Sequence, residues 1–355
     1  MSYAKRFTAL LLAVISAAVL YSSFSSPLNL RAHFLNVGQA DCIVIQTPNG
    51  RSLLIDSGNI EDSQTISSYL DNLNIRKLDV VVGTHPHADH IGGMAQIIRK
   101  YEIGRVYMPF ASNNTATFQD LLMAIKEKGL RVSTAKAGIT IDLDPELNMG
   151  FLAPGSDVYG DLNNYSAVLK ITYKRNSFLL SGDAGIASEE EMLRSGLDLK
   201  ADVLKVAHHG SAYSTSIGFL EKILPSYAII SVGAGNTYGH PSKETLDRLA
   251  QFNVEVFRTD LDGTIIIASD GEKIQVDKKA SPIKPKAPPA VSSFSDKSPA
   301  IAQADKDGNT VYITRTGRKY HKFGCQYLSR SCIPIELKKA KDMGYTPCKV
   351  CKPPQ

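Results

Sequence analysis

Four residues with metal-ligating side chains, His85, His87, Asp89 and His90, fall within six positions in the run Thr84-His85-Pro86-His87-Ala88-Asp89-His90. Imidazole together with carboxylate is a donor set for zinc or manganese, and a tight loop can turn all four toward one point. The run follows the apolar stretch 78–83, which reads as a buried strand, a place where histidines gathered by chance are not expected. Two further strand ends carry residues of the same kind: Ser181-Gly182-Asp183, and Ala207-His208-His209-Gly210-Ser211. Three strand ends converging on one point predict a metal site. Where such a site holds two ions ~3.5 to 4 Å apart, they lower the pKa of a bridging water and brace both attacking and leaving oxygens. Such a centre suits phosphoryl esters as well as amides and thioesters.

Other polar residues divide between chemistry and support. Lys205 lies in an apolar strand just before the histidine pair, where its charge needs either a buried acid or a substrate phosphate. His240, in Tyr238-Gly239-His240-Pro241, is either a loop histidine or a substrate-side proton donor. Asp56 ends the strand carrying Leu53-Leu54-Ile55 and is expected to orient a ligating histidine rather than bind metal, and Asp41 to do the same. His33 reads as a structural histidine and Cys42 as a small buried hydrophobe.

The elements that must position these groups alternate between strand and helix. Strands are predicted at 31–37, 42–47 and 52–56 as an opening meander, with Pro48-Asn49-Gly50 as a turn. Further strands are predicted at 165–173, 177–181, 201–207, 228–232, 254–258 and 263–268. Helical spacing marks 63–73, 118–129, 188–193 and 242–252. This order predicts an α/β fold, a layered αββα sandwich over residues 29–277. Residues 280–309, rich in Pro, Ala, Ser and Lys, read as a flexible linker to a small module at 310–355.

Four of the five cysteines lie in that module. His321 and Cys325, followed after 22 residues by Cys348-Lys349-Val350-Cys351, have the spacing of a structural zinc site of one imidazole and three thiolates. The alternatives are that Cys332 replaces His321, or that disulfides join Cys325 to Cys332 and Cys348 to Cys351. In a segment this short, zinc would supply much of the stability.

The His-x-His-x-Asp-His run, the Gly-Asp step and the later strand-end histidine resemble the metallo-β-lactamase superfamily. More narrowly, five segments are similar to the hydrolase domain of the ComEC competence protein family: 33–41 (HFLNVGQAD), 55–58 (IDSG), 163–166 (NNYS), 201–211 (ADVLKVAHHGS) and 238–242 (YGHPS). The resemblance implies one ion on His85 and His87, a second on Asp89 and His90, Asp183 between them, and one imidazole of His208 or His209 completing the second. It also favours a role at the site for His240, and phosphodiesters as substrate. The superfamily's usual third histidine for the first ion is missing, because no histidine occurs from Ile91 to Ala207. Asn163 and Asn164 stand in that neighbourhood, so the first ion is expected to be weakly held and open to manganese. Residues 310–352 resemble the zinc-binding domain at the N-terminus of the Ada DNA-repair protein, most specifically in Gly344-Tyr345-Thr346-Pro347-Cys348-Lys349-Val350-Cys351. His321 stands where that family has its first cysteine. The resemblance then implies metal-held folding and nucleic-acid affinity, without methyl transfer to that thiolate.

Charge and termini set the surroundings. Residues 278–355 hold 16 Lys+Arg and 5 Asp+Glu, a balance of +11 against −6 for the rest. A basic appendage on an acidic body fits a polyanion, DNA or cell wall, as well as plain solvation. Lys5 and Arg6 followed by an apolar stretch of 14 residues, 7–20, have the layout of an export signal or N-terminal anchor over 1–26. With no ComEC-type membrane channel in the sequence, a freestanding, exported relative is expected. The leading reading is an exported metal-dependent phosphodiesterase or nuclease acting on DNA, tethered by its zinc module. The alternatives are a phosphoesterase on cell-wall or lipid phosphoesters, such as phosphocholine esters, and a non-catalytic metal-containing DNA-binding protein.

Overall fold

A computed structural model describes residues 29–281 and, toward the C-terminus, 310–314, 318–322, 325–328, 333–342 and 344–354. The expected export signal, the linker from 282 to 309, and Cys332 lie outside the described residues. No described helix is long and apolar enough to cross a membrane.

Strands β1 (Leu30–Phe34), β2 (Ile43–Gln46), β3 (Ser52–Ile55), β4 (Lys77–Val82), β5 (Glu102–Met108) and β6 (Val132–Thr134) come first. They are followed by β7 (Leu147–Ala153), β8 (Val168–Tyr173), β9 (Asn176–Leu180), β10 (Val203–Lys205), β11 (Tyr227–Ile230) and β12 (Glu255–Arg258). β13 (Ile265–Ser269) and β14 (Ile274–Val276) return to the first sheet, whose order is β14-β13-β1-β2-β3-β4-β5-β6. The second sheet runs β12-β11-β10-β9-β8-β7. Helices α1 (Ser63–Asn72), α2 (Met94–Lys100) and α3 (Ala116–Glu127) cover the first sheet, and α4 (Ile186–Arg194), α5 (Ile217–Ile223) and α6 (Lys243–Gln251) cover the second.

The two-residue period of the strands builds the layers. Leu53 and Ile55 of β3, Val80 and Val82 of β4, Phe178 and Leu180 of β9, and Val203 of β10 fill the core between the sheets. Leu54 and Val81 turn to the helices on one outer side, and Leu179 and Leu204 to those on the other. The result is the expected αββα sandwich. The same period puts Lys205 on the inter-sheet face with Val203. Strands β3-β4-β5 and β9-β10-β11-β12 run parallel, so their C-terminal ends open on one edge, where α/β sheets place ligands.

The four expected helices are present, each within two residues at its ends. Strand 201–207 is shorter than expected, stopping at Lys205, and Ala207–Gly210 form a 3₁₀ turn. β5, β6, β7, β14, α2 and α5 have no counterpart among the elements expected from sequence. In β5 the residues Glu102, Gly104 and Arg105 are all exposed, so no clean alternation marks that strand. In the C-terminal region, β15 (Thr310–Ile313), β16 (Lys319–His321), β17 (Ile333–Glu336) and β18 (Thr346–Pro347) form a small sheet of order β17-β15-β16-β18.

Candidate metal centre

The histidine run leaves β4 at Val82 and turns at once into the short helix Ala88–Ile91. That turn is pinned to the loop after β3: Ser57 N–H donates to His90 O at 2.7 Å and Gly92 N–H to Gly58 O at 2.9 Å. Gly92 permits this approach, because a Cβ there would lie 2.5 Å from both Asn59 C and Ile60 N. Asp183 follows β9 across Gly182, whose φ is +50°, and its N–H donates to Ser166 Oγ at 3.0 Å.

Ligand atoms of Asp89, His90, Asp183 and His209 lie within 4.8 Å of one another. His90 Nε2 is 3.2 Å and His209 Nε2 3.7 Å from Asp183 Oδ2, and His209 Nε2 is 3.4 Å from Asp89 Oδ2. His85 Nε2 and His87 Nδ1 form a second pair at 2.9 Å, and the His85 and His90 rings are 4.1 Å apart. Among the described residues no other His, Cys, Asp or Glu joins that pair within the same reach. The shortage of ligands at the first position thus persists in three dimensions. Asn163, in the 3₁₀ turn Leu162–Tyr165 before Ser166, is buried with an unpartnered Oδ1, while Asn164 Oδ1 accepts from Ser188 N–H at 3.2 Å.

The structure separates the two candidate histidines of the third strand end. His208 and His209 both have φ of +52°, a left-handed pair whose rings lie 6.2 Å apart with planes at 67°. His209 is buried and joins the cluster, whereas the side chain of His208 stays 27% exposed with Nε2 3.9 Å from Asp183 Oδ2. His209 Nδ1 donates to Ser231 O at 2.9 Å, which fixes the tautomer and leaves the Nε2 lone pair facing the carboxylates.

Asp56 supports the cluster and does not face its centre. Its carboxylate accepts from Thr84 N–H at 2.8 Å and from Thr84 Oγ1 at 2.7 Å, and holds His90 Nδ1 at 2.8 Å. Thr84 Oγ1 also lies 3.2 Å from His85 Nδ1, and Ser166 Oγ 3.4 Å from the same atom. Neither Thr84 nor Ser166 is of a residue type that marks a ligand in sequence, and only the adjacency of Thr84 to His85 is a signal for its role.

Electrostatics favour a cation. Burial opposes charge on His90, but the carboxylates of Asp183, Asp56 and Asp89 outweigh it and raise its pKa well above the ordinary range. Burial likewise opposes the Asp183 carboxylate, and the facing imidazoles of His90, His209 and His208 hold it well below the ordinary range. His209 is raised against its burial, chiefly by Asp183 and Asp41. His85, buried and beside His90, is lowered. A test of fit comes from hydrogen bonding: His90 Nε2, His209 Nε2 and Asp183 Oδ1 are buried with no hydrogen-bond partner. Unpaired buried acceptors are costly, and a divalent ion among them would satisfy all three. The residues fit the ion.

Lys205 requires a correction. Its side chain is fully buried, forms an ion pair with Asp41, and donates to Gly182 O at 3.2 Å. With no exposed surface and its charge taken by an acid, it cannot reach a substrate phosphate, so its place among the catalytic candidates gives way to the buried-pair reading. Asp41 in turn lies 3.4 Å from His209 Nδ1 and 3.8 Å from His90 Nδ1, so the pair braces both rings from behind. His240 stands at the mouth, its ring 5.5 Å from that of His208 and 6.4 Å from that of His209. Burial, then His208 and His209, push its pKa down to about 4. His33 is held by Tyr69 Oη at 2.9 Å and Gln46 Oε1 at 3.1 Å, a structural role, and Cys42 is buried.

In the C-terminal region, ligand atoms of His321, Cys325, Cys348 and Cys351 lie within 4.8 Å of one another. His321 Nδ1 is 3.2 Å from Cys325 Sγ and 3.9 Å from Cys351 Sγ, and all three of these cysteines are free thiols. Burial pushes the Cys325 thiol up to about 12. Such a set, with one imidazole and three thiols, suits tetrahedral zinc, which would deprotonate the thiols on binding.

Residues 35–233 match the model of the metallo-β-lactamase superfamily. Among proteins similar to the chain, ComE operon protein 3 of Bacillus subtilis (strain 168) is 30% identical over 248 residues, covering 65% of this chain and 32% of that protein. Competence protein ComA of Neisseria gonorrhoeae is 31% identical over 232 residues, covering 65% and 31%. The chain thus spans about a third of the length of the curated relatives it matches. Among solved structures, the metallo-β-lactamase fold protein YhfI of Bacillus subtilis is 12% identical, with a TM-score of 0.47 over 68% of this chain and all of that one. Sheet order, strand-end ligands and the family match together show that the chain belongs to the metallo-β-lactamase superfamily of metal-dependent hydrolases, related in sequence to competence proteins.

Proposed function

We propose that the protein is a metal-dependent phosphodiesterase that cleaves DNA, working outside the cytoplasm and held near its substrate by the C-terminal zinc module. The observation that carries the hydrolytic part is the convergence of Asp89, His90, Asp183 and His209 at strand ends, with their inward atoms unsatisfied. Divalent ions held there would supply hydroxide at neutral pH and positive charge against a phosphate. The chain's own contribution is orientation. Asp56 fixes His90, Ser231 O fixes His209, and Asp41, paired with Lys205, braces both rings from behind.

Nucleic acid as substrate is supported by the names of the relatives, two competence proteins and Recombination protein 2 of Haemophilus influenzae, 26% identical over 273 residues. It is also supported by the +11 balance of residues 278–355, since cationic segments concentrate polyanions. Tethering such a segment to the hydrolase raises the local concentration of substrate without new catalytic contacts. Export rests on the layout of residues 1–26.

The test is cleavage of labelled single-stranded DNA by the full chain with Mn²⁺ or Zn²⁺, beside Asp183→Asn. Metal-dependent degradation lost in the variant is expected. Intact DNA with bound metal confirmed, together with turnover of a phosphocholine ester, would replace DNA by a wall or lipid phosphoester as the substrate.

A further inference from the structure

We infer that Tyr238 is a stacking platform for an unpaired nucleobase flanking the scissile phosphate, which makes single-stranded nucleic acid the substrate form at this site. The inference rests on the phosphodiesterase reading and deepens it.

A lone exposed tyrosine on a protein surface is ordinary. What distinguishes Tyr238, 69% exposed, is its alignment and its mounting. Its ring stacks on His240, with centroids 5.8 Å apart and planes 24° apart, and His240 stacks in the same sense on His209 at 6.4 Å and 28°. A file of flat rings therefore leads from the metal cluster to solvent and ends in an open aromatic face. The loop that carries it is fixed. Asn236 donates to Gly233 O at 3.0 Å and to His240 O at 2.6 Å, and its Oδ1 accepts from His240 N–H at 3.0 Å. Next to it, Pro241 packs against Gly210, whose absent Cβ would lie 2.6 Å from Pro241 Cβ, and Ser242 N–H donates to Gly210 O at 2.8 Å. The loop bearing Tyr238 is thus bound to the turn bearing His209.

An aromatic ring held rigidly beside a phosphate-cleaving centre gains contact area with a planar ligand at little entropic cost. Stacking accepts any base, but the base must leave its duplex partner to present a face. A quaternary ammonium would instead favour several aromatic faces set around it as a cage. The near-parallel file here offers one face, which suits a flat ring.

The experiment measures kcat/KM of the full chain, loaded with Mn²⁺, on short single-stranded oligonucleotides carrying one abasic residue at successive positions on either side of the cleaved bond. In the wild type, one position is expected to lower kcat/KM by roughly 5- to 150-fold, the span of one base–aromatic stack. Tyr238→Ala should lower kcat/KM on the intact oligonucleotide by a similar factor and become insensitive to the abasic residue at that position, while Tyr238→Phe stays close to wild type. An unchanged abasic profile in Tyr238→Ala overturns the inference. A loss confined to a phosphocholine ester overturns it in favour of a cation site. Turnover of bis(p-nitrophenyl) phosphate by the wild type separates the two levels: its absence sinks the phosphodiesterase reading and this inference with it, whereas its presence with no abasic effect sinks this inference alone.

Discussion

Replacing Lys205 by Met tests the claim that this lysine holds the site together from behind. The methionine side chain is close in length and apolar, so the inter-sheet core around Val203 should remain filled. What is lost is the partner of Asp41, a carboxylate only 1% exposed. Removing one member of a buried ion pair strands the other charge and costs about 3 to 5 kcal/mol. For a body of this size, each kcal/mol corresponds to roughly 2 to 4 °C, so thermal unfolding in excess chelator should fall by roughly 6 to 20 °C. Chelator matters, because bound metal adds its own linkage to the melting temperature. The freed Asp41 carboxylate, 3.4 Å from His209 Nδ1, would also compete with Ser231 O for the proton there. The His209 ring would lose its fixed orientation, and metal affinity should drop by about 10- to 100-fold. Adding Asp41→Leu removes the stranded charge, and the double variant should regain most of the lost stability, as expected for coupled neighbours. A Lys205→Met protein that melts within about 2 °C of the wild type, and whose defect is a raised KM for a phosphodiester, would refute the argument and return Lys205 to the substrate.

Three further outcomes follow from single contacts. Asp56→Asn weakens the brace on His90 Nδ1 and should lower metal affinity by about 10- to 100-fold with little change in fold, as read by calorimetric titration; undiminished affinity would mean that Thr84 alone orients the ring. Cys348→Ser removes a ligand from the C-terminal cluster and should reduce tightly bound zinc by one ion per chain while leaving hydrolysis of a small phosphodiester intact; full zinc content would point to a different ligand set. His33 should make the body acid-labile. Burial pushes its pKa down to about 4, with Arg31 adding to the shift and Gln46 opposing it, whereas the unfolded chain titrates near its ordinary 6.5. Its contribution is therefore complete above pH 6.5, declines as pH falls toward 4 because the unfolded state takes the proton first, and totals about 3 kcal/mol. Urea unfolding of His33→Gln against the wild type from pH 7 to 4 reads this directly, and equal slopes would show that the imidazole is protonated in place.

How far the site could be read from sequence depended on whether its geometry is local. The ligands of the histidine run, Asp183 and the histidine pair each follow an apolar strand, so the two-residue period and the strand end suffice to bring them together. Asp56 could be read in the same way, as an acid one residue past Ile55. The choice between His208 and His209 could not, because an extended strand running through Ala207 would alternate the two rings by register alone. Instead β10 stops at Lys205 and both histidines take left-handed backbone, a reversal that no residue type at these positions announces. Lys205 shows the other limit. Strand period assigns it to the inter-sheet face, but the acid that neutralises it lies between β1 and β2, far away in the chain, and nothing around either residue encodes the pairing. Aromatic stacking on His240 combines both cases. The tyrosine two residues before His240 is visible in the sequence, yet its ring could as well have filled the core, and only the loop locked by Asn236 holds it outward beside His240.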